Sequence, residues 1–527
     1  MVSSLLSYEA ERKTVGRIIR ANKDIRMDYF NSERKPYPGP RMRFVVSDRR
    51  LSGMNLFCLL YPSKYLTDVY DPIDCMNRGL SLSEIEKEIR GKIAGRLDKV
   101  KSRKTGAEDQ RWYYMAPLFL DPPEYVMGWF DEDANLAWNE QDENRRGENS
   151  AFLKHLRHLR QMYYNLGNGD LDNIPLGRKP KALYDVLTDM AIASPAVCAN
   201  RTYGLYGRKE DYPGYLSGQL GKVFINLMNK PESIAVVEIA CGKKSDDAHW
   251  RNVLTYCKQG NLQAVLDEYA HLLVNGYDED STVMKLHGDI METMNMRTTR
   301  YEFDTYRNFC NVKKEKQPKA PRIRTHFAVA FTKGVGIDKD TNRKKVVRNA
   351  FNSPFRPFVL TSTSIGQEGL DFHNYCRRIV HWNLPANPID LEQREGRINR
   401  FECLAIRQNV AKRYGTIQYR HNVWKELFEE AARQEKTRES SDLVPYWGLQ
   451  EREDMIHIER IVPMYPFSRD KVAYERLMKI LSFYRLTLGQ ARQEELLEYF
   501  MKEDKEPEQL KELFINLSPY FKKYAKE

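Results

Sequence analysis

Between residues 51 and 320 the apolar positions recur mainly at helical spacing. Ser83 followed by Glu86 reads as a capping box, and Ile85, Ile89, Ile93, Leu97 and Val100 then set one apolar stripe along a helix. Phe152, Leu156, Leu159 and Tyr163 form a second stripe, and Leu183, Val186, Leu187 and Met190 a third. Ser194 and Pro195 predict the N-cap and first turn of a fourth helix, and Leu262 to Asn275 a fifth. Upstream, Ser3 to Ala21 is predicted helical, with Leu5, Tyr8, Arg12 and Val15 at helical spacing, until the Pro- and Arg-rich run Arg34 to Arg43 interrupts it.

After the Lys/Pro-rich linker Lys313 to Arg322 the period changes. Phe327 to Phe331 is strand-like, Asn342 to Phe351 is a basic amphipathic helix carrying Val346, Val347 and Ala350, and Phe355 to Leu360 starts a second strand. Arg378 to Trp382 predicts a third strand and Asn387 to Arg400 a second helix. Strands alternating with helices in this way predict an α/β fold with a parallel sheet, which binds ligands beyond the carboxyl ends of its strands. From Ala405 to Glu527 the pattern is helical again, with breaks at Leu443 to Gly448 and at Val462 to Ser468.

Composition narrows the class. In 527 residues there is no unbroken apolar run long enough to span a bilayer, and the N-terminus has no signal-peptide pattern, so no membrane partner and a cytoplasmic location are expected. The eight cysteines are scattered without metal spacing, which predicts reduced core thiols and no metal site. The 84 Lys and Arg against 73 Asp and Glu give a formal charge of +11, which favours polyanionic partners.

The chemistry concentrates between Thr361 and Arg400. Asn387 can cap the predicted helix, Pro388 suits its first turn, and Asp390 complements its N-terminal dipole. On a continuous helix Gln393, Arg397 and Arg400 fall at i, i+4 and i+7 and share one face, with Leu391 and Ile398 on another, buried against the sheet. Gly396 removes a side chain beside Arg397 and permits close approach, at a helical cost of about 1 kcal/mol. Just upstream, Thr363 to Asp371 offers hydroxyls and backbone N–H groups near Gly366 and Gly369 that can hold phosphates. Either element alone has an ordinary explanation, a solvated charged helix or a Gly-rich turn. Together they describe a phosphate-handling site.

This pair of segments resembles motifs V and VI of superfamily 2 helicases and translocases, and His381 to Pro388 is similar to the segment joining those motifs in bacterial Swi/Snf-type members. The resemblance implies a RecA-like helicase C-terminal lobe, a parallel sheet flanked by helices. It implies that Arg397 and Arg400 are arginine fingers reaching the ATP γ-phosphate, with Gln393 contacting the nucleotide or coupling the cleft. Gly369, Asp371 and Gly396 would line the ATP cleft, and Thr363, Ser364 and Gly366 would contact nucleic acid, DNA in preference to RNA. Ser3 to Arg12, Leu262 to Leu273, Ser441 to Trp447 and Tyr484 to Leu497 resemble outer parts of bacterial helicase-related proteins. The implied layout is the start of the lobe and a connector in 1–50, a large mostly helical insert in 51–320, the lobe with both motifs in 321–404, and a helical C-terminal extension in 405–527. Phe401 and Glu402 depart from the Swi/Snf pattern, which continues toward a Gly-Gln pair.

An ATP-driven motor also needs a P-loop, and the candidates fail. Gly221-Lys222 is followed by Val223, with Leu216 where the first glycine belongs; Gly242-Lys243 is followed by Lys244, with Val237 in that place. For an acidic metal-binding motif, Asp131 to Ala134 and Asp267 to Ala270 both read as surface acids. ATP with Mg2+ would therefore be bound mainly by a separate P-loop lobe, the second expected partner beside nucleic acid. The alternative is a non-motor nucleic-acid-binding or regulatory protein, or an inactive fragment, that keeps the lobe as a scaffold. His155 and His158 lack partners for a metal and read as part of a surface helix. His373 and His381 flank the motifs as candidates for nucleic-acid contact or simple packing, and the aromatics of Arg111 to Met115 read as core.

Overall fold

The computed structural model describes residues 40–47, 50–130, 151–166, 176–207, 214–242, 248–278, 283–296, 299–302, 322–325, 345–355, 357–361, 371–436, 440–487 and 492–502. The chain forms two compact units, Met1–His326 with Tyr419–His421, and Phe327–Gln418 with Asn422–Glu527. The predictions at Ser3 to Ala21, at residues 34–39, at Phe327 to Phe331 and at Asp131 to Ala134 fall outside the described residues.

The first unit is a helical assembly. Helix α1 (Leu82–Leu97) buries Ile89, Ile93 and Leu97, and Val100 continues the stripe just beyond it. Its capping box is Ser81 with Glu84, not Ser83 with Glu86: the Ser81 hydroxyl accepts from Glu84 N–H, and the Glu84 carboxylate accepts from Ser81 N–H at 2.8 Å. The real box lies two residues earlier, which frees Glu86 to pair with Lys258 at 2.7 Å. Helix α2 (Ala151–Asn165) buries Phe152, Leu156, Leu159 and Tyr163 as its stripe requires. His155, expected on a surface helix, is instead fully buried, its ring nitrogens facing the Ala151 and Ser52 carbonyls at 2.6 and 2.9 Å. Helices α3 (Leu183–Ala193) and α4 (Pro195–Tyr206) meet at Ser194, whose hydroxyl donates to the Cys58 carbonyl rather than capping α4.

Both P-loop candidates turn out to be backbone devices. Gly221 lies inside helix α5 (Tyr215–Met228), where an added Cβ would come within 2.7 Å of the Leu59 carbonyl oxygen. Gly242 ends helix α6 (Pro231–Cys241) with φ 78, a left-handed conformation suited to glycine. Asp267, read as a surface acid, lies on helix α7 (Leu262–Val274) and accepts from Thr202 Oγ1 and Gln263 Nε2 at 2.6 and 2.8 Å; burial pushes its carboxyl up to about 6. Helix α8 (Val283–Met294) carries His287, whose ring lies between the Tyr203 hydroxyl and Gln219 Oε1, both at 2.9 Å. Burial lowers His287 to about 4. Trp112, Tyr113 and Tyr114 are core residues, as read from the sequence.

In the second unit, residues 345–351 are helical and bury Val347 and Ala350. Residues 357–360 form no strand, contrary to expectation. Pro354 and Pro357 remove two ladder donors there. Leu360 nevertheless packs on a core of Phe351, Phe372 and Ile398. Strand β1 (Arg378–Val380) pairs in parallel with β2 (Glu459–Ile461), Ile379 opposite Arg460. That second strand corrects the expectation of an all-helical extension. The alternation Ile456, Ile458, Arg460 was its signal, masked because the third inward position is charged.

Two substitutions test this packing. At an exposed helical site Gly→Ala stabilises by about 1 kcal/mol. Gly221→Ala should lower the unfolding midpoint instead, because the methyl group meets backbone; a raised midpoint would contradict the close approach. His287 titrates near 6.5 when unfolded and about 4 when folded, so its neutral ring contributes stability that is complete above 6.5 and lost as pH falls toward 4. Comparing thermal melts at neutral and mildly acid pH, His287→Gln should show a smaller acid-induced drop than the parent; equal drops would contradict the buried neutral ring.

Candidate functional site

The helix at the centre of the site, α9 (Pro388–Glu395), begins as its sequence predicts. Asn387 Oδ1 accepts from Ile389 N–H at 2.9 Å, Pro388 occupies the first turn, and Asp390 lies in it. Its end differs from the expectation. The helix stops at Glu395, and the chain turns tightly through Gly396 and Ile398, with Ile398 and Asn399 N–H groups both donating to the Glu395 carbonyl. Gln393, Arg397 and Arg400 therefore do not share a helical face. Gln393 is exposed on the last helical turn, Arg397 is buried, and Arg400 is half-exposed. Gly396 is the residue at the helix end, where a Cβ would crowd the Glu392 carbonyl oxygen at 3.2 Å.

The turn separates the two apolar anchors as well. Leu391 packs against Leu477 and Leu481 of helix α10 (Asp470–Leu486), whereas Ile398 enters the core with Phe351 and Phe372. Only Ile398 lies on the strand side, so the expectation that both would bury against the sheet is corrected.

What the turn does bring together is positive charge. Burial lowers Arg397, and the neighbouring guanidinium groups of Arg394 and Arg400 lower it further, with Asp371 opposing them. Asp371 Oδ1 accepts from Arg400 Nε at 2.9 Å, and the Arg397 carbonyl accepts from Phe372 N–H at 2.9 Å, which ties this turn to the residue after Asp371. Arg397 thus has two other guanidinium groups and one carboxylate acting on it. A phosphate group arriving there would relieve the mutual repulsion of the guanidinium groups. Thr363, Ser364, Gly366 and Gly369 lie outside the described residues.

Three residues hold the site: His381, read from the sequence as a contact or packing candidate, and Glu395 and Arg460, which were not singled out. His381 Nε2 faces Glu395 Oε1 at 3.2 Å, and Arg460 donates to both Glu395 oxygens at 2.5 and 2.7 Å. Burial raises the Glu395 carboxyl, but these partners outweigh it and hold it at about 2. His381 is thus a packed, paired residue. Beside this triad a cleft of about 360 Å³ is lined by Glu392, Glu395, Gly396, Asn399, Ile458, Arg460 and Arg485. Its charges are already matched, Arg485 Nε donating to Glu392 at 2.6 Å. On the arginine side of the turn, Arg400 pairs with Asp371, and Arg394 and Arg400 both act on Arg397. His373 is lowered to about 4 by burial, which makes it neutral at physiological pH. Among the described residues no His, Cys, Asp and Glu cluster could hold a metal, and no helix is long and apolar enough to cross a membrane.

Residues 306–402 match the helicase conserved C-terminal domain. That match ends just past Arg397 and Arg400 and makes this stretch similar to a helicase C-terminal lobe. No curated protein and no solved structure matches the chain.

Glu395→Gln keeps the shape of the triad and removes its charge. It should destabilise the second unit by about 1–3 kcal/mol, read as a shift in denaturant midpoint. An unchanged midpoint would show that the triad does not hold the helix end.

Proposed function

We propose that this chain supplies the C-terminal motor lobe of an ATP-dependent nucleic-acid helicase or translocase of the Swi/Snf-like group, completed by a P-loop lobe outside this sequence. The observation that carries the proposal is the placement of Arg397 and Arg400 on the turn that follows α9, with Arg394 near Arg397 and Asp371 paired to Arg400, within a stretch that matches the helicase C-terminal domain. In this reading Arg397 and Arg400 are the arginine fingers. Arg397 is held by the buried turn and aimed by its crowded neighbours, and Arg400 exchanges Asp371 for the terminal phosphate. Gln393, at the exposed helix end, faces the nucleotide or the partner lobe. Gly396 permits the close approach, and Gly369 and Asp371 complete the ATP cleft.

ATP with Mg2+, held mainly by the P-loop lobe, supplies the phosphoryl group and its neutralising cation. The residues of this chain would add charge stabilisation that depends on position alone, which is what phosphoryl transfer requires. Thr363, Ser364 and Gly366 would contact nucleic acid, DNA in preference to RNA, and the +11 charge supports a polyanionic partner. A cytoplasmic location accords with this role.

The proposal has a direct test in the purified chain. Without a P-loop lobe, ATP hydrolysis should stay at background with or without single- or double-stranded DNA. Robust DNA-stimulated hydrolysis by the chain alone, abolished by Arg397→Ala, would overturn the dependence on a second lobe.

A further inference from the structure

Immediately after Arg400 the chain presents an aromatic ring in an unusual setting. Phe401 has 44% of its surface in solvent, while Phe428 is buried. Between them in the contact chain lies Tyr446, nearly parallel to both: Phe401 at a centroid distance of 5.1 Å and 13°, Phe428 at 5.5 Å and 10°. Three near-parallel rings thus run from the core to the surface and end at the residue that follows Arg400. An exposed phenylalanine alone is ordinary. This one is held in place at a conformational cost.

The cost is visible at the next residue. Glu402 adopts φ 47, a left-handed conformation that side chains other than glycine rarely take. Four contacts hold it there. Glu402 N–H donates to the Tyr446 carbonyl at 2.9 Å, and Arg407 Nη1 donates to the Glu402 carbonyl at 2.7 Å. Cys403 N–H donates to the Arg400 carbonyl at 3.1 Å and Leu404 N–H to the His373 carbonyl at 3.0 Å. Arg407 is fully buried, and its other nitrogen bonds the Asn374 carbonyl. A buried guanidinium and a strained turn are therefore committed to fixing the position of one exposed ring. This is the arrangement of a preorganised stacking platform, since a flat, exposed π-face suits a nucleobase.

We propose that Phe401 stacks on a nucleobase. That the ligand is a nucleotide or a nucleic acid rests on the function proposed above, and the stacking geometry does not. The base could belong to a single strand or to the nucleoside triphosphate, and both present the same chemistry to the ring.

The test measures equilibrium binding to the full chain of three probes, a single strand of about eight deoxyadenylates, its abasic counterpart and ATP. The parent should bind the strand more tightly than the abasic strand. Phe401→Ala and Phe401→Leu should each weaken binding about ten- to a hundredfold and abolish the preference for bases, while Phe401→Tyr retains it. If only ATP binding responds, the stacked base is that of the mononucleotide; if only the strand responds, it is that of nucleic acid. Equal binding of normal and abasic strands by the parent, with ATP binding indifferent to Phe401→Leu, overturns the proposal. That comparison needs no alanine variant, so a poorly folded Phe401→Ala leaves the test intact. Because the readout is binding, its failure is distinct from a failure of the motor reading, which is read by hydrolysis.

Discussion

The arginine side of the second unit depends on one carboxylate. Glu395 closes the last turn of α9 and receives Arg460 from β2 and His381 from the residue after β1, so a single side chain fastens the helix end to both strands. Its carbonyl does a second job by accepting the N–H groups of Ile398 and Asn399, which closes one further turn after the helix. With the helix end fixed in this way, the direction of everything from Arg397 to Glu402 follows from backbone geometry rather than from flexible side chains. Arginine fingers need such support, because their effect on phosphoryl transfer depends on placement.

The same clasp explains why the two sides of the turn differ electrostatically. On the cleft side each cation meets an anion, Arg460 with Glu395 and Arg485 with Glu392. On the other side Arg400 pairs with Asp371, and Arg394 and Arg400 both act on Arg397. Matched charges tie α9 to its neighbours. Arg407, buried beneath the following turn, extends the rigid segment as far as Phe401.

Much of this was legible in the sequence, and the failures have physical reasons. Asn387, Pro388 and Asp390 announced the start of α9, because capping chemistry is local. Its end was misjudged, because helical periodicity continues on paper through Gly396 although the chain turns there to bury Ile398 in a different core from Leu391. The strand β2 was hidden because Arg460 occupies an inward position that only its long-range partner Glu395 makes tolerable. Similarly, Asp267 and His155 read as surface residues since nothing nearby in sequence reveals the groups that satisfy them. In the first unit the helical stripes read directly, and the register of the capping box did not, since Ser81 and Ser83 offer the same chemistry two residues apart.

If Arg397 acts on a phosphate held by another lobe, as proposed, steady-state ATP turnover by this chain reconstituted with a P-loop lobe should fall about a thousandfold or more in kcat on Arg397→Ala, with nucleic-acid affinity, measured on the same samples, retained. Turnover unchanged by the substitution, with the complex assembled, would contradict it.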